Sequence, residues 1–172
     1  MRHLAAITLM FAGLSYAASV FPPLTPSDEG SLRKVAVELK QAIAQEDVQT
    51  FLRHVSKSEG LSCTDRRVSY QQVQKDLQNK NSHLYMSLFD SRQFANRCDK
   101  EYPREYPAIS DKEFFDKSLN EVIEISPVGK GLAQVVFKSN TKGHYPREWV
   151  FQKERGEWRL IEGFIVSRCS CG

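Results

Sequence analysis

Apolar residues recur three to four positions apart through the first two thirds of the chain and alternate through the last third. This change of period predicts helices first and strands afterwards. Leu32, Val35, Leu39, Ala42 and Ile43 share one face of a helix that begins at Ser27. Ser27 or Asp28 is placed to cap its free N–H groups, and Glu29 favours the positive end of its dipole. Asp47 is the capping residue of a second, shorter helix with Val48, Phe51, Leu52 and Val55 as its buried stripe, ended by Gly60. Leu61-Ser62-Cys63 makes at most a short extended piece. Ser69-Tyr70-Gln71-Gln72 then fits a capping box, and Tyr70, Val73, Leu77, Leu84 and Leu88 continue one face. Asn79-Lys80-Asn81 interrupts that helix midway, with Ser82 able to cap its second half.

Residues 91–109 read as the least regular part, because Pro103 and Pro107 each disfavour helix at the residue before them. Ser110-Asp111-Lys112-Glu113 is a second capping box and opens a short helix carrying Phe114, Phe115 and Leu119. Four strands follow. They cover residues 121–125, stopped by Pro127 and Gly129; 132–138; 145–153, with Tyr145, Trp149 and Phe151 on one face; and 158–166, where Gly163 suggests a bulge. Turn residues between them indicate an antiparallel meander. The fold class is therefore α+β: N-terminal helices packed on a curved C-terminal antiparallel sheet, in a single domain.

The start of the chain obeys a different logic. Arg2 supplies a positive charge, residues 4–14 form an uncharged apolar run, and Ser15-Tyr16-Ala17 offers the small residues a signal peptidase reads. Residues 1–18 are expected to be a signal peptide and 19–26 a Pro-rich lead-in. The domain then spans 27–172, and the protein is periplasmic or secreted. The apolar run is too short to span a bilayer comfortably, so no stable membrane insertion is expected once the leader is removed. About 155 residues remain, enough to build a hydrophobic core. The formal charge is +3, and Arg2 is the one charged residue of the leader. The rest of the charges are interspersed, as in Lys153-Glu154-Arg155, and form no basic stripe of the kind that binds nucleic acid.

Two stretches give a family resemblance that covers roughly residues 27–168. One is Ala44-Gln45-Glu46-Asp47-Val48-Gln49-Thr50-Phe51 after the opening helix. The other is the closing hairpin from Trp149 through Glu154-Arg155-Gly156-Glu157 to Leu160. Together they resemble the nuclear transport factor two-like superfamily, the cone-shaped members of the cystatin-like fold. The resemblance implies a cone built from helices and a bent sheet, a scaffold that hosts isomerases, hydrolases, transport adaptors and ligand-binding domains, so it implies no single activity.

Cysteine chemistry follows from the compartment. Cys63, Cys98, Cys169 and Cys171 in an exported domain suggest two disulfides, with three possible connectivities. A Cys169–Cys171 bond would close a very small, strained ring, so the favoured pairing joins one of them to Cys63 and the other to Cys98. The Cys-x-Cys tail also suits a soft metal or disulfide exchange, an alternative that an oxidising compartment disfavours. His54, His83 and His144 share no metal-ligand spacing, and no cofactor is expected. Asp90, Tyr70 and Tyr85 are acid–base candidates by residue type alone, with Asp90 more natural as a helix-end residue. Trp149, Phe151 and Trp158 would line the concave face of a bent sheet and are candidates for a pocket, with the core as the commoner use of such a face. Tyr102 and Tyr106, beside prolines in a loop, are the preferred partner-contact residues. The expected function is an exported non-catalytic binding domain for a small apolar ligand or a protein partner, such as an accessory or immunity-type factor. The alternatives are a hydrolase or isomerase using the cone and a Cys-x-Cys metal or redox protein.

Overall fold

The computed structural model describes residues 21–63, 66–101, 109–117, 122–138 and 146–163; residues 1–18, the expected leader, lie outside them. Among the described residues the chain forms α1 (Pro26–Ala44), α2 (Val48–His54), β1 (Leu61–Cys63), β2 (Arg66–Val68), α3 (Tyr70–Gln78), α4 (His83–Phe89), α5 (Ser91–Glu101), α6 (Asp111–Lys117), β3 (Val122–Gly129), β4 (Leu132–Phe137), β5 (Arg147–Glu154) and β6 (Glu157–Glu162). The strands make one mixed sheet in the order β2-β1-β6-β5-β4-β3, and helices pack on it. The class is α+β, as the change of period predicts.

Helix starts follow side-chain capping. The Thr25 hydroxyl, one turn upstream of Asp28, accepts from its N–H at 3.1 Å, so α1 opens at Pro26, a residue that needs no N–H partner there. That moves the cap from the expected Ser27 or Asp28 to Thr25. Asp47 caps α2 through the N–H of Thr50 at 3.0 Å, Ser69 caps α3, and Ser82 caps α4 through Tyr85. Asn79-Lys80-Asn81 separates α3 from α4, as expected. Gln72 does not complete its capping box: its amide donates to Asp76 instead, at 2.7 Å. The segment 91–101, expected to be irregular, is the helix α5. Asp90 caps it by accepting from Gln93 N–H at 2.9 Å, and the first residue that a proline restricts is Tyr102, outside the described residues.

The meander β3–β6 is antiparallel, and β4 shows the alternation that the sequence carries. Strand β3 differs from expectation. It runs through Pro127 to Gly129, which is tolerated because β3 is an edge strand with irregular register around that proline. The β5–β6 turn places Arg155 at φ 50° and Gly156 at φ 89°, the left-handed pair whose twist suits a two-residue hairpin. The bulge in β6 falls at Ile161, between the pairs Val150↔Glu162 and Phe151↔Leu160, and not at Gly163. Strand β2 had no sequence signal. β1 joins β6 in parallel through Ser62↔Glu162, which makes the sheet mixed.

One hydrophobic core lies between sheet and helices. Leu32, Leu39 and Ile43 of α1, Phe51 of α2, and Leu84, Tyr85, Leu88 and Phe89 of α4 are buried in it. Burying a side chain such as Leu88 or Phe89 contributes about 1.5–3 kcal/mol each.

Candidate functional site

The inward face of the sheet is aromatic because alternate positions of β4 and β5 carry Phe137, Trp149 and Phe151, each fully buried. Phe115 of α6 descends onto them, 5.2 Å from Phe137 and 5.2 Å from Trp149, while Phe137 and Trp149 stand 4.7 Å apart. These edge-to-face contacts are the geometry that aromatic quadrupoles prefer. Trp158 of β6 is 3 % exposed, with Lys153 over its ring at 5.7 Å. Of the pocket candidates, Trp149, Phe151 and Trp158 are therefore held in the core and offer no surface to a partner. Gly163 contributes to this closure. At φ 152° it presses on the indole of Trp149 so closely that an added Cβ would overlap Cδ1.

At the start of β5 the same inward face carries a charge. Arg147, two residues before Trp149, is 5 % exposed, and Asp111 at the start of α6 is 2 % exposed. Arg147 Nε lies 3.0 Å from Asp111 Oδ1. The other guanidinium edge donates from Nη2 to the Ile109 carbonyl at 2.9 Å, and its Cζ lies over the Phe114 ring, 4.7 Å from the centroid. Ser87 of α4 donates to Asp111 Oδ2 at 3.2 Å. The Asp111–Arg147 contact is close but poorly angled for a hydrogen bond, and Trp149 Nε1, nearby on the same strand face, is buried without an acceptor. Burial pushes the Asp111 carboxyl up to about 6, and the Arg147 charge and the Ser87 hydroxyl pull it only part of the way back. Loss of hydration outweighs the ion pair here.

Neither residue stood out in the sequence. Asp111 passes for the acidic first-turn residue of a capping box, a role Ser110 supports by accepting from Glu113 N–H at 3.0 Å. The available signal was parity: Arg147 shares the inward register of Trp149 and Phe151, a position where a lone cation requires a partner.

The remaining candidates separate in space. Asp90 caps α5 and is engaged by Gln93 through both carboxylate oxygens. Tyr85 packs against Phe89 at 5.3 Å, and Tyr70 is a half-buried residue at the core margin. His54 pairs with Glu38 of α1 at 2.8 Å, and burial lowers its pKa more than Glu38 raises it. A polar bracket of Ser56 and Ser58 holds the carboxylate of Glu154, Ser58 at 2.8 Å. The backbone of Cys63 ends β1 and that of Cys98 lies in α5; Cys169, Cys171, Tyr102, Tyr106, Tyr145, His144 and Phe164 lie outside the described residues. Among the described residues, no group of three His, Cys, Asp or Glu side chains gathers as metal ligands, and no helix is long and apolar enough to cross a membrane.

Comparison with known proteins gives no match to a family model, a curated protein or a solved structure.

Proposed function

We propose that the protein is an exported, non-catalytic binding domain of nuclear-transport-factor-two-like type that recognises a protein partner, as an accessory or immunity-type factor would. The observation that supports this reading is the closure of the inward sheet face, where Trp149, Phe151 and Phe137 are fully buried under Phe115. A face filled by its own side chains leaves recognition to the surface and favours a protein partner over a small apolar ligand. Tyr102 and Tyr106 remain the contact residues of choice. In this reading Cys63 and Cys98 pair with Cys169 and Cys171, tying the tail to the domain in a periplasmic or extracellular setting.

Chemical cross-linking in the exported fraction tests the reading. A discrete adduct that weakens in the Tyr102→Ala/Tyr106→Ala double variant, with unchanged thermal unfolding, is the expected result. No adduct, or one indifferent to both changes, would contradict it.

A second reading is favoured by Asp111. A buried carboxyl titrating near neutrality amid aromatic rings is the kind of group a cone-cavity hydrolase or isomerase would use as an acid or base. Turnover abolished by Asp111→Asn in a folded variant would establish that reading in place of the first.

A further inference from the structure

Asp111 stands where α4, α6 and β5 meet, and its two oxygens are divided between them: Oδ1 faces Arg147 of β5 and Oδ2 accepts from Ser87 of α4. Arg147 in turn grips the Ile109 carbonyl just ahead of α6 and the Phe114 ring within it. We propose that the Asp111–Arg147 pair is a proton-operated clasp that changes how α6 is held against β5 while the rest of the fold stays intact.

The chemistry is one proton and no other reactant. In the deprotonated form a carboxylate attracts a buried guanidinium across 3.0 Å. When Asp111 takes up a proton the cluster passes from neutral to one positive charge, and Coulomb attraction no longer draws α6 toward β5. Arg147 keeps its carbonyl and its ring contact, so the clasp loosens without losing every tie. Among the described residues the charged group that acts on Asp111 is Arg147 alone; α4 turns the uncharged Ser87 to it, and no described side chain of α1 or α5 contributes a charge. On α6 itself Lys112 reaches away, to the Ala44 carbonyl at 3.1 Å and Glu46 at 3.5 Å.

The order of events separates this clasp from acid unfolding. An aspartate in the unfolded chain takes its proton near 3.8, whereas Asp111 in the fold takes it at about 6. Between these values proton uptake favours the folded state, so the change occurs within the native molecule.

Trp149 reports on the clasp, because Phe115 of α6 lies against it at 5.2 Å and Arg147 is its neighbour on the same strand face. The experiment is Trp149 fluorescence of the full chain in a Trp158→Phe background, titrated from about pH 8 down to about pH 4.5. A single transition centred near pH 6 is expected, absent in Asp111→Asn and retained in His54→Gln. Ser87→Ala, which removes a hydrogen bond that favours the carboxylate, moves the midpoint upward and decides the matter if Asp111→Asn does not fold. Fluorescence that is flat through this range, a transition that survives Asp111→Asn or vanishes in His54→Gln, or a midpoint that Ser87→Ala leaves in place or lowers, overturns the proposal.

Discussion

At the inner face of the sheet, Asp111 meets Arg147 with both side chains closed off from water, 2 % and 7 % exposed. At the end of α2, His54 meets a Glu38 that is 37 % exposed. Both junctions fasten a helix to its neighbour. In both, burial pushes the titrating group towards its neutral form, but the groups differ in which form is neutral: the carboxyl rises and the imidazole falls. The same physical cause therefore gives opposite pH responses. Asp111 binds a proton more readily in the fold than out of it, so its contribution to stability grows as pH falls from about 6 towards 4. His54 resists its proton in the fold, so the stability it supports above about pH 6.5 is lost as pH drops below that value.

The largest effect expected from breaking this comparison comes from Arg147→Met. It takes from the buried Asp111 the counter-charge that allows it to ionise at neutral pH, and chemical denaturation there is expected to show a loss of about 3–5 kcal/mol. The loss shrinks at pH 5, where a protonated Asp111 needs no partner; a loss independent of pH would show that Arg147 acts by packing alone. Next in size is Asp111→Asn, which should remove the gain in stability on acidification from about 6 to about 4. An unchanged slope would place that titration elsewhere. His54→Gln acts in the other direction and should flatten the loss of stability below about pH 6.5, read from unfolding curves at several pH values. The smallest effect belongs to Lys153→Met. Its contact with Asp28 at 2.6 Å is solvent-exposed, so a change of about 1 kcal/mol or less in unfolding free energy is expected, fading as salt is raised.

The same contrast explains how much could be read from the chain. The period-two alternation of Ala133, Val135 and Phe137 and the caps at Asp47 and Ser82 are local signals, and the elements they predict are present. Helix α5 escaped because Phe94 is its one large buried apolar residue among those described, too sparse for a periodic face, and nearby prolines suggested a loop. Strand β2, only three residues long, carries Arg66-Arg67-Val68 and depends on pairing with β1, a neighbour-dependent property that composition does not announce. The clasp was illegible for the same reason. Asp111 and Arg147 lie far apart in sequence, each ordinary in its own segment, and only the register of α6 over β5 makes them a pair. The aromatic stripe of β5 was visible as a stripe, but whether Phe115 would cover it depended on where α6 came to rest.

The functional reading rests on export and on a tail tied to the domain, and intact mass after secretion tests both at once. The protein, directed to a bacterial periplasm, is treated with a thiol-alkylating reagent before any reductant. The predicted mass lacks residues 1–18 and the four hydrogens that its four cysteines would lose on pairing, with no alkyl adduct. A mass that retains the leader, or that carries alkyl groups on Cys63, Cys98, Cys169 or Cys171, would contradict the account and return the Cys-x-Cys tail to consideration as a working site.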